Sequence, residues 1–357
     1  MNIHATFAKD RAAAVTHKQT LPADRPASQT GRIGVLVSNL GTPDATDYRS
    51  VRRYLAEFLS DQRVIELPKW KWYPILYGIV LNTRPQKTGA NYETVWNRDK
   101  DESPMRTICN AQTDALAAAL AGEPRISVEI GMRYGNPSIE SAVGKLMAQG
   151  CDRIVFFPLY PQYSATTTAT ANDQLFRALM KIRHQPAVRT VPAYYDEPAY
   201  IEALAASIGE HLAGLDFEPE IVLASYHGIP RRYAESGDPY PQHCHETTRR
   251  LRARLGWGEE RLLTTFQSLF GKEEWIRPYT DETVKRLAAE GVKRIAIVNP
   301  GFSADCIETL EEIDGEVREI FMHAGGERFS HIPCLNDRPD GMKMIEDLVR
   351  RELSGWL

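Results

Sequence analysis

From residue 33 onward the chain alternates short β-branched apolar runs with amphipathic stretches, and this pattern constrains its fold more than any other feature. The runs at 33–38, 126–130, 153–158, 187–193, 220–226, 262–267, 294–299 and 317–321 read as strands. Between them, stretches such as 137–149, 198–213, 242–255 and 280–290 space their apolar residues as helices do. Strand–helix alternation joins parallel strands through crossover helices, so the expected class is α/β. Ligands of open parallel sheets bind beyond the carboxyl ends of the strands. Residues just past the apolar runs are therefore the first candidates for a site.

Two internal matches divide this pattern. Residues 35–43 align without gaps on 222–230, a shift of 187, and residues 148–154 align on 289–295, a shift of 141. Falling in the same order, they indicate two similar α/β halves. The first half then holds about 46 extra residues between its matched segments, and 67–106 is the candidate insertion. Insertions between core elements commonly serve as lids or binding loops. Leu40 in the first half occupies the place that His227 takes in the second.

A chain of 357 residues is long enough for two domains. Its formal charge of −4 argues against a nucleic-acid binder, which would show a basic stripe. Cys109, Cys151, Cys244, Cys306 and Cys334 are widely spaced with no CxxC pair, as suits reduced thiols in the cytoplasm. Residues 1–30 lack an apolar signal core and read as a disordered leader. No run reaches the ~18 apolar residues that span a bilayer. The nearest, residues 70–81, is broken by Lys71 and Pro74 and rich in Trp and Tyr. A buried helix, an apolar lip over a ligand and an interfacial membrane contact all fit it.

The chemistry is narrowed by what is missing. Gly41-Thr-Pro follows the first strand in place of GxGxxG, and GxxxxGK[ST], HExxH and GxSxG do not occur. What remains is His227 at a strand end, in a turn shaped by Gly228 and Pro230, and the acids of 305–316. A lone histidine there serves as often in structure as in function. Glu308, Glu312 and Glu316 share one helix face at i, i+4, i+8 spacing. Ile307, Leu310 and Ile313 form a separate apolar stripe, so the acids also fit a solvated face, and Gly315 suggests that the helix ends near it. Cys306 reads as a small buried hydrophobe, and the adjacent residues of His243-Cys-His245 point in different directions. One histidine with several carboxylates suits proton transfer or loose handling of a divalent metal.

Three motifs, in this order and spacing, resemble those of the ferrochelatase family. They are Leu159-Tyr-Pro-Gln-Tyr-Ser164, His227-Gly-Ile-Pro230 followed by Gly237-Asp-Pro-Tyr-Pro241, and Phe302-Ser-Ala-Asp-Cys-Ile-Glu308-Thr-Leu310. The resemblance runs from about Ile33 to the C-terminus. It implies two Rossmann-like domains with parallel sheets and a porphyrin cleft between them: 31–170, completed by a C-terminal helix at 337–357, and 171–336. It also implies a lyase that inserts Fe²⁺ into protoporphyrin IX with release of two protons, the last step of heme biosynthesis. Coproporphyrin III ferrochelatase, another tetrapyrrole chelatase and a non-catalytic porphyrin binder are the alternatives.

Carried over by motif, His227 is the histidine of metal insertion and Glu308 its opposing carboxylate, with Asp305 a neighbouring acid. Phe302 lies near the macrocycle, Arg133 and Tyr134 line the cleft, and Trp275 forms its wall. Ser268 and Tyr163 fall on pocket positions, and Leu40 joins them as the counterpart of His227. Asp305, Glu312 and Glu316 extend the site into a path for protons or metal. The 67–106 insertion matches an apolar lip that covers the porphyrin and faces the membrane. Some members hold a [2Fe–2S] cluster, but Ala165 follows Tyr163-Ser164 here and Cys334 is the only cysteine near the C-terminus. No cluster and no tightly bound cofactor are therefore expected, with iron as substrate. The resemblance points to a bacterial, cytoplasmic protein, a monomer or homodimer, soluble or peripheral to the inner membrane.

Overall fold

The computed structural model describes residues 31–271 and 273–357; the leader expected at 1–30 lies outside the described residues. Among the described residues, eight strands form two four-stranded parallel sheets. The first holds β1 (Arg32–Thr42), β2 (Ile126–Gly135), β3 (Cys151–Pro158) and β4 (Ala187–Thr190) in the order β2-β1-β3-β4. The second holds β5 (Ile221–His227), β6 (Leu262–Gln267), β7 (Arg294–Val298) and β8 (Arg328–Ile332) in the order β6-β5-β7-β8. Helices cover both faces of each sheet, which is why Val35, Leu36 and Val37 run as consecutive apolar residues with at most 1% exposure.

The internal repeat holds at the level of register. Val35 pairs with Val155 across β1 and β3, and Val222 pairs with Ala296 across β5 and β7. The two sequence shifts carry the first pair onto the second. One apolar core joins the halves: Ile33 and Val35 share a cluster with Val222 and Ala224. Leu116, Ile208 and Leu348, from the helices Pro104–Ala119, Pro198–Ala213 and Pro339–Leu353, fill the space between them.

Three expectations are corrected. Residues 317–321 are helical, because Ile313, Val317 and Phe321 recur every fourth residue and pack together on Val284 and Leu287. The eighth strand lies further on, at Arg328–Ile332. Gly315 does not end its helix: a π-helical segment, Glu308–Val317, passes through it and continues as Arg318–His323. The boundary expected at 170/171 falls inside the first sheet's chain, since β4 pairs with β3 from Arg153↔Ala187 to Phe156↔Thr190. The 67–106 insertion is largely helical, as Lys69–Ile75, the π-helical Leu76–Val80 and Leu81–Val95.

At the end of β1 the chain turns through Gly41 at φ 101°. A Cβ there would lie 1.8 Å from the carbonyl oxygen of Tyr134, a backbone atom that cannot swing aside. Gly41→Ala is expected to cost about 2 kcal/mol or more in urea unfolding.

Candidate active site

A cleft of about 960 Å³ opens at the carboxyl ends of the two sheets. His227 reaches it from the end of β5, Leu40 from β1, and Phe302 from the loop after β7; Ser268 and Trp275 follow β6. Glu308, Glu312 and Glu316 line it from the π-helical segment. Phe58, Leu59, Val64, Ile65, Leu67 and Trp72 give it an apolar wall, and Arg84 and Lys87 of the insertion supply cations.

His227 is held by its own turn. Its Nδ1 lies 2.7 Å from the Gly228 carbonyl, which can only accept, so Nδ1 carries the proton. A neutral ring then keeps a free lone pair on Nε2. The Trp275 ring lies 6.2 Å from the imidazole. Gly228 makes this approach workable, because a Cβ there would sit 3.0 Å from both Gln267 O and Trp275 Cε3.

The acids are not merely a solvated face. Glu308 and Glu312 are half-buried, while Glu316 is exposed, so the row runs from the cleft interior to water. Glu312 accepts the Ser268 N–H at 2.7 Å and the Ser268 hydroxyl at 2.6 Å. Ser268 takes the left-handed conformation, at φ 67°, a strain found where side chains are aimed at a function. Burial pushes the Glu312 carboxyl up from its ordinary value, against the Ser268 bond and the nearby His227. Gln267 fixes the start of the segment: its Nε2 donates to Glu308 O at 2.8 Å, and its Oε1 accepts from Ser225 Oγ at 2.9 Å and Asn299 Nδ2 at 2.7 Å.

Four expected residues sit elsewhere. Arg133 and Tyr134 are buried outside the lining of the cleft rather than on it, Tyr134 edge-on to Phe58 with ring centroids 5.0 Å apart. The Asp61 carboxylate draws them in: it pairs with the Arg133 guanidinium, accepts the Thr170 hydroxyl, and takes the Tyr134 hydroxyl at 2.9 Å. Tyr163 also lies outside the lining; its N–H donates to His243 Nδ1 at 3.2 Å. The neighbouring Ser164 lines the cleft and donates to Asp238 at 2.9 Å, which ties the 159–164 motif to the 237–241 motif. Asp305 is buried behind the row, where it accepts from Thr309 Oγ1 at 2.9 Å and Asn336 Nδ2 at 2.7 Å. Its carboxylate is committed to these bonds and does not line the cleft.

Sequence reasoning missed Gln267, Asn299 and Asp61. Gln267 and Asn299 each end a buried apolar run with an amide, a signal that was available. Asp61 carries no local mark. His243 stacks on Tyr195, 3.7 Å between ring centroids, in keeping with a packed side chain. Among the described residues no group of three or more His, Cys, Asp or Glu is arranged to hold a metal ion.

Two four-stranded parallel sheets with a site at their strand ends define an α/β protein of chelatase type. The same fold occurs in SirB from Bacillus subtilis, solved with Fe³⁺, at a TM-score of 0.54 and 13% identity over 90% of this chain and 96% of that one. The family model for ferrochelatase matches residues 32–353. A ferrochelatase of Mesorhizobium japonicum is 65% identical over 92% of this chain and 93% of its own length. One from Chelativorans is 62% identical over 94% and 95%, respectively. The chain belongs to the ferrochelatase family.

The buried pair makes a prediction of its own. Burial opposes ionisation of Asp61, but the Thr170 hydroxyl, the Arg63 N–H and the Arg133 charge outweigh it and hold the carboxyl below its ordinary value. A depressed carboxylate contributes stability above its unfolded pKa, about 4, and loses it as pH falls through the folded value. Asp61→Asn should cost ~3–5 kcal/mol in urea unfolding at pH 7, and the gap from wild type should narrow below about pH 4.

Proposed function

We propose that this protein is a lyase that inserts Fe²⁺ into protoporphyrin IX and releases two protons, closing heme biosynthesis. The observation that carries this reading is the pairing of one histidine with a row of glutamates in an apolar cleft large enough for a macrocycle. Two pyrrole N–H protons must leave as the dication enters. Nε2 of His227 offers a lone pair to accept one, and Glu308 on the same cleft offers a carboxylate. Glu312 and the exposed Glu316 continue from Glu308 toward water, so protons have a route out, or metal a route in. A sparse imidazole and carboxylate set binds iron loosely enough to give it up, whereas thiolates would retain it. Among the described residues no cysteine lines the cleft.

Arg84 and Lys87 suit the porphyrin carboxylates, with Arg84 resting on the Phe270 ring at 4.2 Å. The apolar wall favours protoporphyrin IX over the more acidic coproporphyrin III. Phe302, Trp275 and Leu40 contact the macrocycle, and Arg133 and Tyr134 act through the wall that they support. The protein works without a [2Fe–2S] cluster; Ala165 in place of a thiol and the burial of all five cysteines support this. The insertion exposes Trp70 and Ile79, at 74% and 60%, beside Lys69 and Lys71. That combination suits peripheral contact with an anionic inner-membrane surface from the cytoplasm. Among the described residues no helix is long and apolar enough to cross a membrane.

Anaerobic insertion of Fe²⁺, or Zn²⁺ as surrogate, read by porphyrin absorption, tests the assignment. His227→Ala and Glu308→Ala should each lower kcat by ~100-fold or more while porphyrin binding persists. Tight binding without insertion of any divalent metal would instead mark a porphyrin carrier. For the lip, Trp70→Ser with Ile79→Ser should weaken partitioning onto anionic vesicles by at least ~10-fold in co-sedimentation.

A further inference from the structure

The loop 299–308 brings Phe302 and Glu308 to the cleft, yet part of what holds it comes from the other half of the molecule. Gln112, on the helix Pro104–Ala119, is 2% exposed and does not line the cleft. Its Nε2 donates to Ser303 O at 2.9 Å and to Asn336 O at 2.8 Å. Asn336 completes the fastening. Its backbone N–H donates to Ser303 O at 3.1 Å, its Oδ1 accepts the Asp305 N–H at 2.8 Å, and its Nδ2 donates to the Asp305 carboxylate at 2.7 Å. The residue stands at φ 50°, which asparagine tolerates better than most side chains.

A chamber of about 10 Å³, enough for one water, adjoins this point and is lined by Gln112, Tyr194 and Phe302. Gln112 Oε1 and Tyr194 OH make no hydrogen bond within the protein. The amide of Gln112 thus turns its donors to the loop and its acceptor away from it.

We propose that Gln112 and Asn336 are positioning residues for metal insertion. Resting on the reaction proposed above, the inference is that they set where Glu308 stands against the first-half wall of Leu40 and Met105. Glu308 lines the cleft together with both of those residues, so a shift of the loop changes the gap between carboxylate and macrocycle directly. Removing the Gln112 amide takes a donor from the Asn336 carbonyl and leaves Ser303 O with the Asn336 N–H alone, so the loop loses its tie to the first half and can relax away from that wall. A displacement of ~1 Å in a reacting group costs about 100-fold in rate.

The test uses the full chain with Gln112→Leu, which keeps bulk and removes the amide, and Asn336→Gly, which keeps the backbone conformation and removes the side-chain bonds. Zn²⁺ insertion kinetics, protoporphyrin affinity by fluorescence quenching, and thermal melting would be measured together. The expected result is a fall in kcat of ~10–100-fold in folded protein, with protoporphyrin affinity at the wild-type level. Wild-type kcat in the folded variants, or loss of porphyrin affinity in step with kcat, overturns the proposal. If Gln112→Leu does not fold, Asn336→Gly decides. Failure of the wild type to insert any divalent metal would sink the reaction itself, an outcome separate from unaffected variants of an active enzyme.

Discussion

The side-chain amide of Gln267 meets four groups at once, and the geometry of the cleft depends on it. Ser225 and Asn299 donate to its oxygen, while its nitrogen serves Glu308 O and Glu312 Oε2, the latter at 3.3 Å. Three of these residues stand at or near the ends of adjacent parallel strands, and the other two begin the acidic segment. Gln267 is 5% exposed, so water cannot replace a lost partner, and turning the amide over would set donor against donor and acceptor against acceptor. The strand ends and the glutamate row are consequently fixed as one unit, with His227 beside them through the Gly228 N–H to Gln267 O bond at 2.8 Å.

Much of this was readable from the chain because burial leaves a local trace. Strands covered on both faces become apolar runs, and the repeated runs around Val35 and Val222 revealed both central strands and their equivalence. β8 escaped because Arg328, Ser330 and His331 break its apolar content, while Val317, Ile320 and Phe321 imitate a strand inside a helix. The acidic row was visible in its spacing. Its π-helical path through Gly315 was not, since that winding is set by packing and by the bonds from Gln267 and Ser268. Arg133 and Tyr134 stood out as a motif, but their placement is decided by Asp61, whose part in the network no periodicity announces.

The duplicated architecture is used asymmetrically. The second half supplies the imidazole and the carboxylates, and the first supplies the apolar insertion and, at the place equivalent to His227, the half-buried Leu40. One face of the cleft is thus largely apolar while the other presents polar and acidic side chains. The division avoids placing two imidazoles over one macrocycle, an arrangement that would hold a metal more firmly.

The helix Pro339–Leu353 has a consequence for how the molecule is made. Ile345, Leu348 and Val349 share a core with Ile33 and Val155, residues synthesised roughly three hundred and roughly two hundred positions earlier, respectively. A ribosome therefore holds the first sheet with that part of its apolar face uncovered until this distant helix has been translated, long after the strands that it covers.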